Sequence, residues 1–219
     1  MGVLMQDDST RMEPAMALAL SANFGSVQRW RESFVQLGRA FGGGTGCLAM
    51  VFVPAQGTLE HRWAADVEHA AAADQLILAY RFGEDGPLDE FLDAIDWAQV
   101  YQRYQQAVHA ASEPFGATQD DAAQAPLLLD VRRAGVFENA ASMIPGANWR
   151  DPGAVAGWVR ELPTGQPVIV YCVYGHEVGR STALRLRAVG VQASFLLGGI
   201  DGWQAAGRAV AAKTADVPQ

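Results

Sequence analysis

From Ser26 to Phe41 the apolar residues Val27, Trp30, Phe34, Leu37 and Phe41 recur at spacings of three and four. With Ser26 as a capping residue, this predicts an amphipathic helix that the glycine run Gly42 to Gly46 ends. Cys47 to Val53 is a nearly continuous apolar run suited to a buried strand, and Thr58 to Ala64 is a second strand across the turn Pro54-Ala55-Gln56-Gly57, so the pair is a hairpin. Leu88 to Ala110 returns to helical spacing through Phe91, Ile95, Trp97, Val100, Tyr101 and Tyr104. The first half is therefore expected as an α+β domain, helices with a small antiparallel sheet.

The second half has another rhythm. Leu127 to Leu129 predicts a strand ending at Asp130, Gly153 to Glu161 a helix, Val168 to Tyr171 a strand ending at Cys172, and Ser181 to Val189 a helix. Ser194 to Leu197 predicts a third strand ending at Gly198-Gly199, and Trp203 opens a last helix. Strands alternating with helices imply an α/β domain, a parallel sheet flanked by helices, whose ligands bind beyond the carboxyl ends of the strands. Between the halves, Ser112-Glu113-Pro114-Phe115-Gly116 and Gln119-Asp120-Asp121 interrupt the apolar pattern. The expected organisation is a tail at 1–20, a domain at 21–109, a linker at 110–124 and a second domain at 125–213, so that residues 118–219 should fold alone.

Among 219 residues, 16 basic against 24 acidic side chains give a net charge of −8, a field that argues against nucleic-acid or anionic-membrane partners. Fifteen of the basic residues are Arg and the single lysine, Lys213, stands near the C-terminus, which argues against Schiff-base chemistry and a phosphate-binding P-loop. Two cysteines, Cys47 and Cys172, make no Cys-x-x-Cys pair and no disulfide framework, which fits a reducing compartment. Asp7 and Asp8 stand where a signal peptide carries basic residues, Ala15 to Ala22 is too short to span a bilayer, and Gln6 breaks a myristoylation signal, so the expected location is cytoplasmic.

The chemistry concentrates at Tyr171-Cys172-Val173-Tyr174-Gly175-His176-Glu177-Val178-Gly179-Arg180-Ser181, a strand end, a tight loop and a helix start. Inward-pointing N–H groups and the positive end of the helix are expected to lower the Cys172 thiol pKa and make it a nucleophile. The bland alternative is a buried cysteine packing at a strand end.

This half resembles the rhodanese (sulfurtransferase) family from about Ala125 to Lys213. The resemblance is carried by Leu128-Leu129-Asp130-Val131-Arg132, Ile144-Pro145-Gly146-Ala147-Asn148, the Cys172 loop, and Leu197-Gly198-Gly199-Ile200-Asp201-Gly202-Trp203. It implies that Cys172 takes sulfane sulfur from a small donor such as thiosulfate, holds it as a persulfide and passes it to a thiol or cyanide, with Val173 to Val178 as an anion cradle and no cofactor. Met143 stands where the family usually has a histidine. His176 and Glu177 either face the donor or close the loop on itself. Asp130 and Arg132 either bind substrate or cap a turn and pair locally. Phosphatase or arsenate reductase chemistry on the same fold needs an Arg fork after five intervening residues; Val178 holds that position, and Arg180, two residues later, cannot simply replace it.

The first half is similar to the C-terminal domain of iron/manganese superoxide dismutases over about Asn23 to Val108. The matching pieces are Asn23-Phe24-Gly25-Ser26, Phe41-Gly42-Gly43-Gly44-Thr45-Gly46, the strand pair and Trp97-Ala98-Gln99-Val100-Tyr101-Gln102-Arg103-Tyr104. Cys47 replaces a tryptophan of that family, and Ala79-Tyr80-Arg81-Phe82-Gly83-Glu84-Asp85 puts Arg81 and Asp85 where the resemblance implies an Asp and a His metal ligand. Asp66-Val67-Glu68-His69 looks like the ligand segment, but its Asp and His are three apart instead of four. The half is expected to hold no metal, with His61, His69 and His109 as surface or packing residues, and to dimerise as that fold often does. The whole reads as a dismutase-like domain fused to a single rhodanese domain acting through Cys172; the rival reading is a sulfur-sensing or scaffolding protein.

Overall fold

The computed structural model describes residues 12–41, 45–72 and 74–213. They fall in two compact units, Met1–Val53 with Thr58–Ala107 and Pro54–Gly57 with Val108–Gln219.

In the first unit, Pro14 occupies the first turn of helix α1 (Pro14–Phe24), where its missing N–H costs nothing. The helix ends at Gly25, whose φ of 89° is a conformation that glycine adopts without strain. Of the tail expected at 1–20, residues 1–11 lie outside the described residues and Pro14 to Leu20 are helix. Ser26 Oγ accepts the Arg29 N–H at 3.0 Å and starts α2 (Val27–Phe41) as expected, with Trp30 and Phe34 on its buried face. Gly42 to Gly44 of the expected stop lie outside the described residues.

The hairpin forms as expected from β1 (Cys47–Val53) and β2 (Thr58–Ala64), Val53 opposite Thr58 and Cys47 opposite Ala64. A short helix, α3 (Val67–Ala70), follows. A strand that the sequence reading missed, β3 (Gln75–Arg81), pairs antiparallel with the other edge of β1, and the sheet order β2-β1-β3 makes β1 central and buried throughout. The single helix expected from Leu88 to Ala110 is two, α4 (Leu88–Asp93) and α5 (Trp97–Ser112). Asp96 breaks it, because its carboxylate accepts the N–H groups of Ala98 and Gln99 and caps a new helix.

The second unit takes up the end of α5. The linker expected at 110–124 is secondary structure instead: the last turn of α5, a 3-10 turn at Glu113–Phe115, strand β4 (Gly116–Ala117) and helix α6 (Gln119–Ala123). Its polar residues are cap chemistry. Thr118 and Asp121 exchange side chain to backbone bonds in a capping box. A fragment beginning at 118 would lose a strand of the sheet.

After β5 (Leu127–Asp130) come α7 (Ala134–Glu138), β6 (Ser142–Met143), β7 (Asn148–Trp149), α8 (Val155–Trp158), β8 (Val168–Tyr171), α9 (Glu177–Ala188), β9 (Ala193–Leu196), α10 (Gly199–Ala205) and β10 (Ala211–Ala212). The helix expected at 153–161 is α8 between two 3-10 turns, α9 begins four residues before Ser181, and Trp203 lies inside α10 instead of opening it. Five strands form the expected parallel sheet, in the order β4-β9-β8-β5-β7.

The strand period of two sorts the core. Val168 and Val170 of β8 pack with Leu129, Trp158, Leu186 and Phe195 on one face, and Ile169 and Tyr171 with Leu128, Ile144, Ile200 and Trp203 on the other. Cys172 leaves the carboxyl end of the central strand between these layers. Among the described residues, no helix is long and apolar enough to cross a membrane.

Candidate active site

Cys172 is 6% exposed, and its Sγ lies 4.0 Å from the His176 carbonyl oxygen. Burial pushes the thiol up from its ordinary value, and the N–H groups of Gly179, Gly175, His176 and Tyr174 pull it back down. The lowered thiol expected from the sequence is thus corrected: desolvation outweighs the amides around the uncharged sulfur. Three of these amides, from Tyr174, Gly175 and His176, belong to the expected run Val173 to Val178, and Gly179 of α9 adds a fourth from just beyond it.

The loop is turned inward by α10. Ile200 N–H donates to Cys172 O and Asp201 N–H to Val173 O, both at 3.0 Å. A trans peptide points its C=O and N–H to opposite sides, so holding Val173 O directs the Tyr174 N–H toward the sulfur. This approach requires glycine at 199, where φ is 58° and a Cβ would meet Val173 O at 2.4 Å and Cys172 O at 2.5 Å. Gly179 is close for the same reason, its absent Cβ leaving Cys172 Sγ room at 3.3 Å.

His176 is the exposed N-cap of α9 and makes no side-chain cap bond; its ring lies 5.7 Å from that of the exposed Tyr174 and 6.1 Å from that of His109. It belongs to the loop's rim. Glu177 is buried in the first turn of α9, and Val178 O accepts the Thr182 hydroxyl within that helix. Arg180 reaches back over the loop, its Nε donating to Gly175 O at 2.8 Å. Asp130 and Arg132 take the local alternative: Arg132 clamps both Asp130 oxygens, Tyr171 donates its hydroxyl to Asp130 Oδ2 at 2.9 Å, and Arg132 also bonds Ser142 O. That buried pair ties the end of β5 to the Ile144 turn, whose N–H bonds Tyr171 Oη.

His109, expected as a surface or packing residue, is half-buried near the loop, its Nε2 buried without a hydrogen-bond partner. Burial and the Arg180 cation lower its pKa. Ser112, expected only as part of the linker, bonds Arg180, and nothing in the sequence links it to a residue 68 positions away.

The dismutase resemblance implies an iron or manganese ion in the first unit, and the residues there do not fit one. Arg81 and Asp85 pair with each other, Nη2 to Oδ1 at 2.5 Å, and Glu84 adds a second carboxylate to the guanidinium. His69 Nδ1 pairs with Asp66 at 2.6 Å on the surface. His61 is a half-buried packing residue, stacked on Phe24 and edge-on to Phe34, and burial lowers its pKa to about 4. Among the described residues, no group of three or more His, Cys, Asp or Glu side chains is placed to hold a metal.

Residues 115–206 match the family described as Rhodanese-like domain, starting ten residues before the expected boundary of 125. A curated relative, the iron superoxide dismutase of Cupriavidus metallidurans, is 30% identical over 112 residues; the match covers 46% of this chain and 57% of that protein. Solved structures similar to the chain include a probable thiosulfate sulfurtransferase (30% identity, 44% of this chain and 47% of that one, TM-score 0.38). A rhodanese-related protein of Thermoplasma volcanium is 21% identical over 45% of this chain and 98% of its own, with a TM-score of 0.38. By the family match, residues 115–206 of the second unit are a rhodanese-like domain, and by the curated relative the first half is similar to part of an iron superoxide dismutase.

Proposed function

We propose, from the rhodanese-like domain of the second unit, that the protein is a cytoplasmic sulfurtransferase that carries sulfane sulfur on Cys172. One observation carries this reading: the only cysteine of that domain stands at the end of the central strand, with four backbone N–H groups bearing on its sulfur. Such a ring favours an anion at that point.

The thiol first gives its proton to solvent. The thiolate then attacks the outer sulfur of a donor such as thiosulfate; the new S–S bond forms as the donor's S–S bond breaks, and its electron pair leaves with sulfite. Attack of an acceptor thiolate or cyanide on the outer sulfur of the persulfide returns Cys172 as a thiolate. Phosphatase chemistry is disfavoured, because Val178 supplies only a helix carbonyl and the Arg180 guanidinium is turned onto Gly175 O.

Mass spectrometry of the full chain after thiosulfate treatment tests the proposal. Cys172 gains one sulfur atom, Cys172→Ser gains none, and Cys47→Ser behaves as the parent. A folded, reduced protein that gains no sulfur, or gains it on Cys47, refutes it.

A further inference from the structure

The C-terminal turn of α5 precedes the family match at 115, yet it touches the loop machinery. Ser112 is fully buried, and its Oγ donates to His109 O at 3.3 Å and accepts from Arg180 Nη1 at 3.1 Å. The Arg180 guanidinium thus has three supports: Ser112 on one edge, Gly175 O at 2.8 Å on another, and the Phe195 ring beneath it, 4.1 Å from Cζ to the ring centroid. Gly175 O is the far end of the peptide whose N–H belongs to His176, one of the four groups bearing on the sulfur. Holding that carbonyl outward aims that N–H inward.

We propose that Ser112 is a positioning residue for Cys172: it fixes the Arg180 guanidinium, and Arg180 holds the Gly175–His176 peptide in the orientation that turns its N–H onto the sulfur. An arginine side chain has much rotameric freedom to lose, and a fork tied at one edge only would swing. The serine hydroxyl, itself oriented by His109 O, removes that freedom. Arg180 also interacts electrostatically with the Cys172 thiolate, so its position bears on the sulfur through charge as well as through the peptide.

The proposal rests on Cys172 being the reacting group, and its test is independent of sulfur transfer. The rate of Cys172 alkylation by iodoacetamide is followed against pH in the full chain, with modified peptides assigned by mass. The charged and titratable groups around Arg180 and His109 are Glu113, His176 and Glu177, and all are retained in the variants. Ser112→Ala slows Cys172 alkylation by about three- to tenfold at fixed pH, equivalent to moving the thiol titration upward by roughly half to one pH unit. Ser112→Thr, which keeps the hydroxyl, restores the parent profile.

Arg180→Lys keeps the charge, loses the fork, and moves the profile in the same direction as Ser112→Ala. A folded Ser112→Ala protein with the parent profile overturns the proposal. So does a parent-like Arg180→Lys profile where Ser112→Ala fails to fold. A shifted profile in a protein that never accepts sulfur from thiosulfate refutes the sulfurtransferase reading and leaves this one standing.

Discussion

Gly199→Ala tests how the loop is held. At φ 58° an L-residue costs about 1–2 kcal/mol by backbone sterics alone. The added Cβ would also fall 2.4–2.6 Å from Val173 O, Cys172 O and Val173 C, backbone atoms that no rotamer change can move. Relief requires the start of α10 to withdraw from the loop, which sacrifices the bonds from Ile200 N–H to Cys172 O and Asp201 N–H to Val173 O, each worth about 0.5–1.5 kcal/mol. The expected loss is about 2–5 kcal/mol. Gly146→Ala supplies the comparison, because Gly146 has φ 78° with nothing within 4 Å of its would-be Cβ and bears the backbone cost only.

At roughly 2–4 °C per kcal/mol for a chain of this size, thermal melting should fall by about 4–20 °C for Gly199→Ala and by about 2–8 °C for Gly146→Ala. The two units need not melt together, so the comparison belongs to the transition that both substitutions shift. Sulfur loading of Cys172 should survive in Gly146→Ala and be lost in Gly199→Ala at a temperature where both are folded. Equal melting of the two variants, with normal loading in Gly199→Ala, would show that contact with α10 does not set the loop.

Other outcomes follow from the same structure. Residues 118–219 alone should fail to load sulfur or to give the full chain's melting transition, since the cut removes β4 and Ser112; a folded, active fragment would make both dispensable. The buried imidazole of His61 falls from 6.5 to about 4 on folding, so stability present above pH 6.5 is lost progressively as pH falls toward 4 and changes no further below it, by up to about 3 kcal/mol. Urea denaturation from pH 7 to 4 should show that slope in the parent and a flatter one in His61→Phe; equal slopes would exclude the imidazole as its source. The purified protein should carry far less than one iron or manganese per chain and show no superoxide dismutation above background; stoichiometric metal lost in His69→Ala would reverse the reading of the first unit.

The sequence was most legible where one apolar pattern determined one element. β1, β2 and β8 lie where they were expected, because turn residues bound each run, and Cys172 was placed at a strand end for the same reason. β3 carries the apolar run Leu76, Ile77 and Leu78, but its last residues Ala79 to Arg81 also resemble a metal-ligand segment, and that likeness hides the strand. The polar run Gln119-Asp120-Asp121 suggests a linker because a capping box and a loop share a composition; only the three-residue spacing from Thr118 to Asp121 separates them. Asp96 hides in the same way, because an aspartate inside an apolar period marks a helix start only through the N–H groups it accepts two and three residues on. The support from Ser112 had no local signal, because burial and chain crossing bring it to Arg180.

The raised Cys172 thiol and the sulfur-carrying role are consistent once the opposing magnitudes are compared. A hydrogen bond to a charged group contributes about 1.5–3 kcal/mol, so four amides offer an anion several times that amount. Removing an ion from water costs several kcal/mol, a quantity of the same order. Burial raises the thiol and the amides oppose it, so the orientation of each peptide bears on how readily the sulfur holds a negative charge. Two of the four N–H groups are aimed by contacts on the far sides of their peptides, Asp201 on Val173 O for Tyr174 and Arg180 on Gly175 O for His176. One anchor, Asp201, belongs to α10, which the family segment contains. The other depends on a guanidinium fixed by the end of a helix that the segment leaves out, so the family segment alone lacks one of the contacts that set the charge on its cysteine.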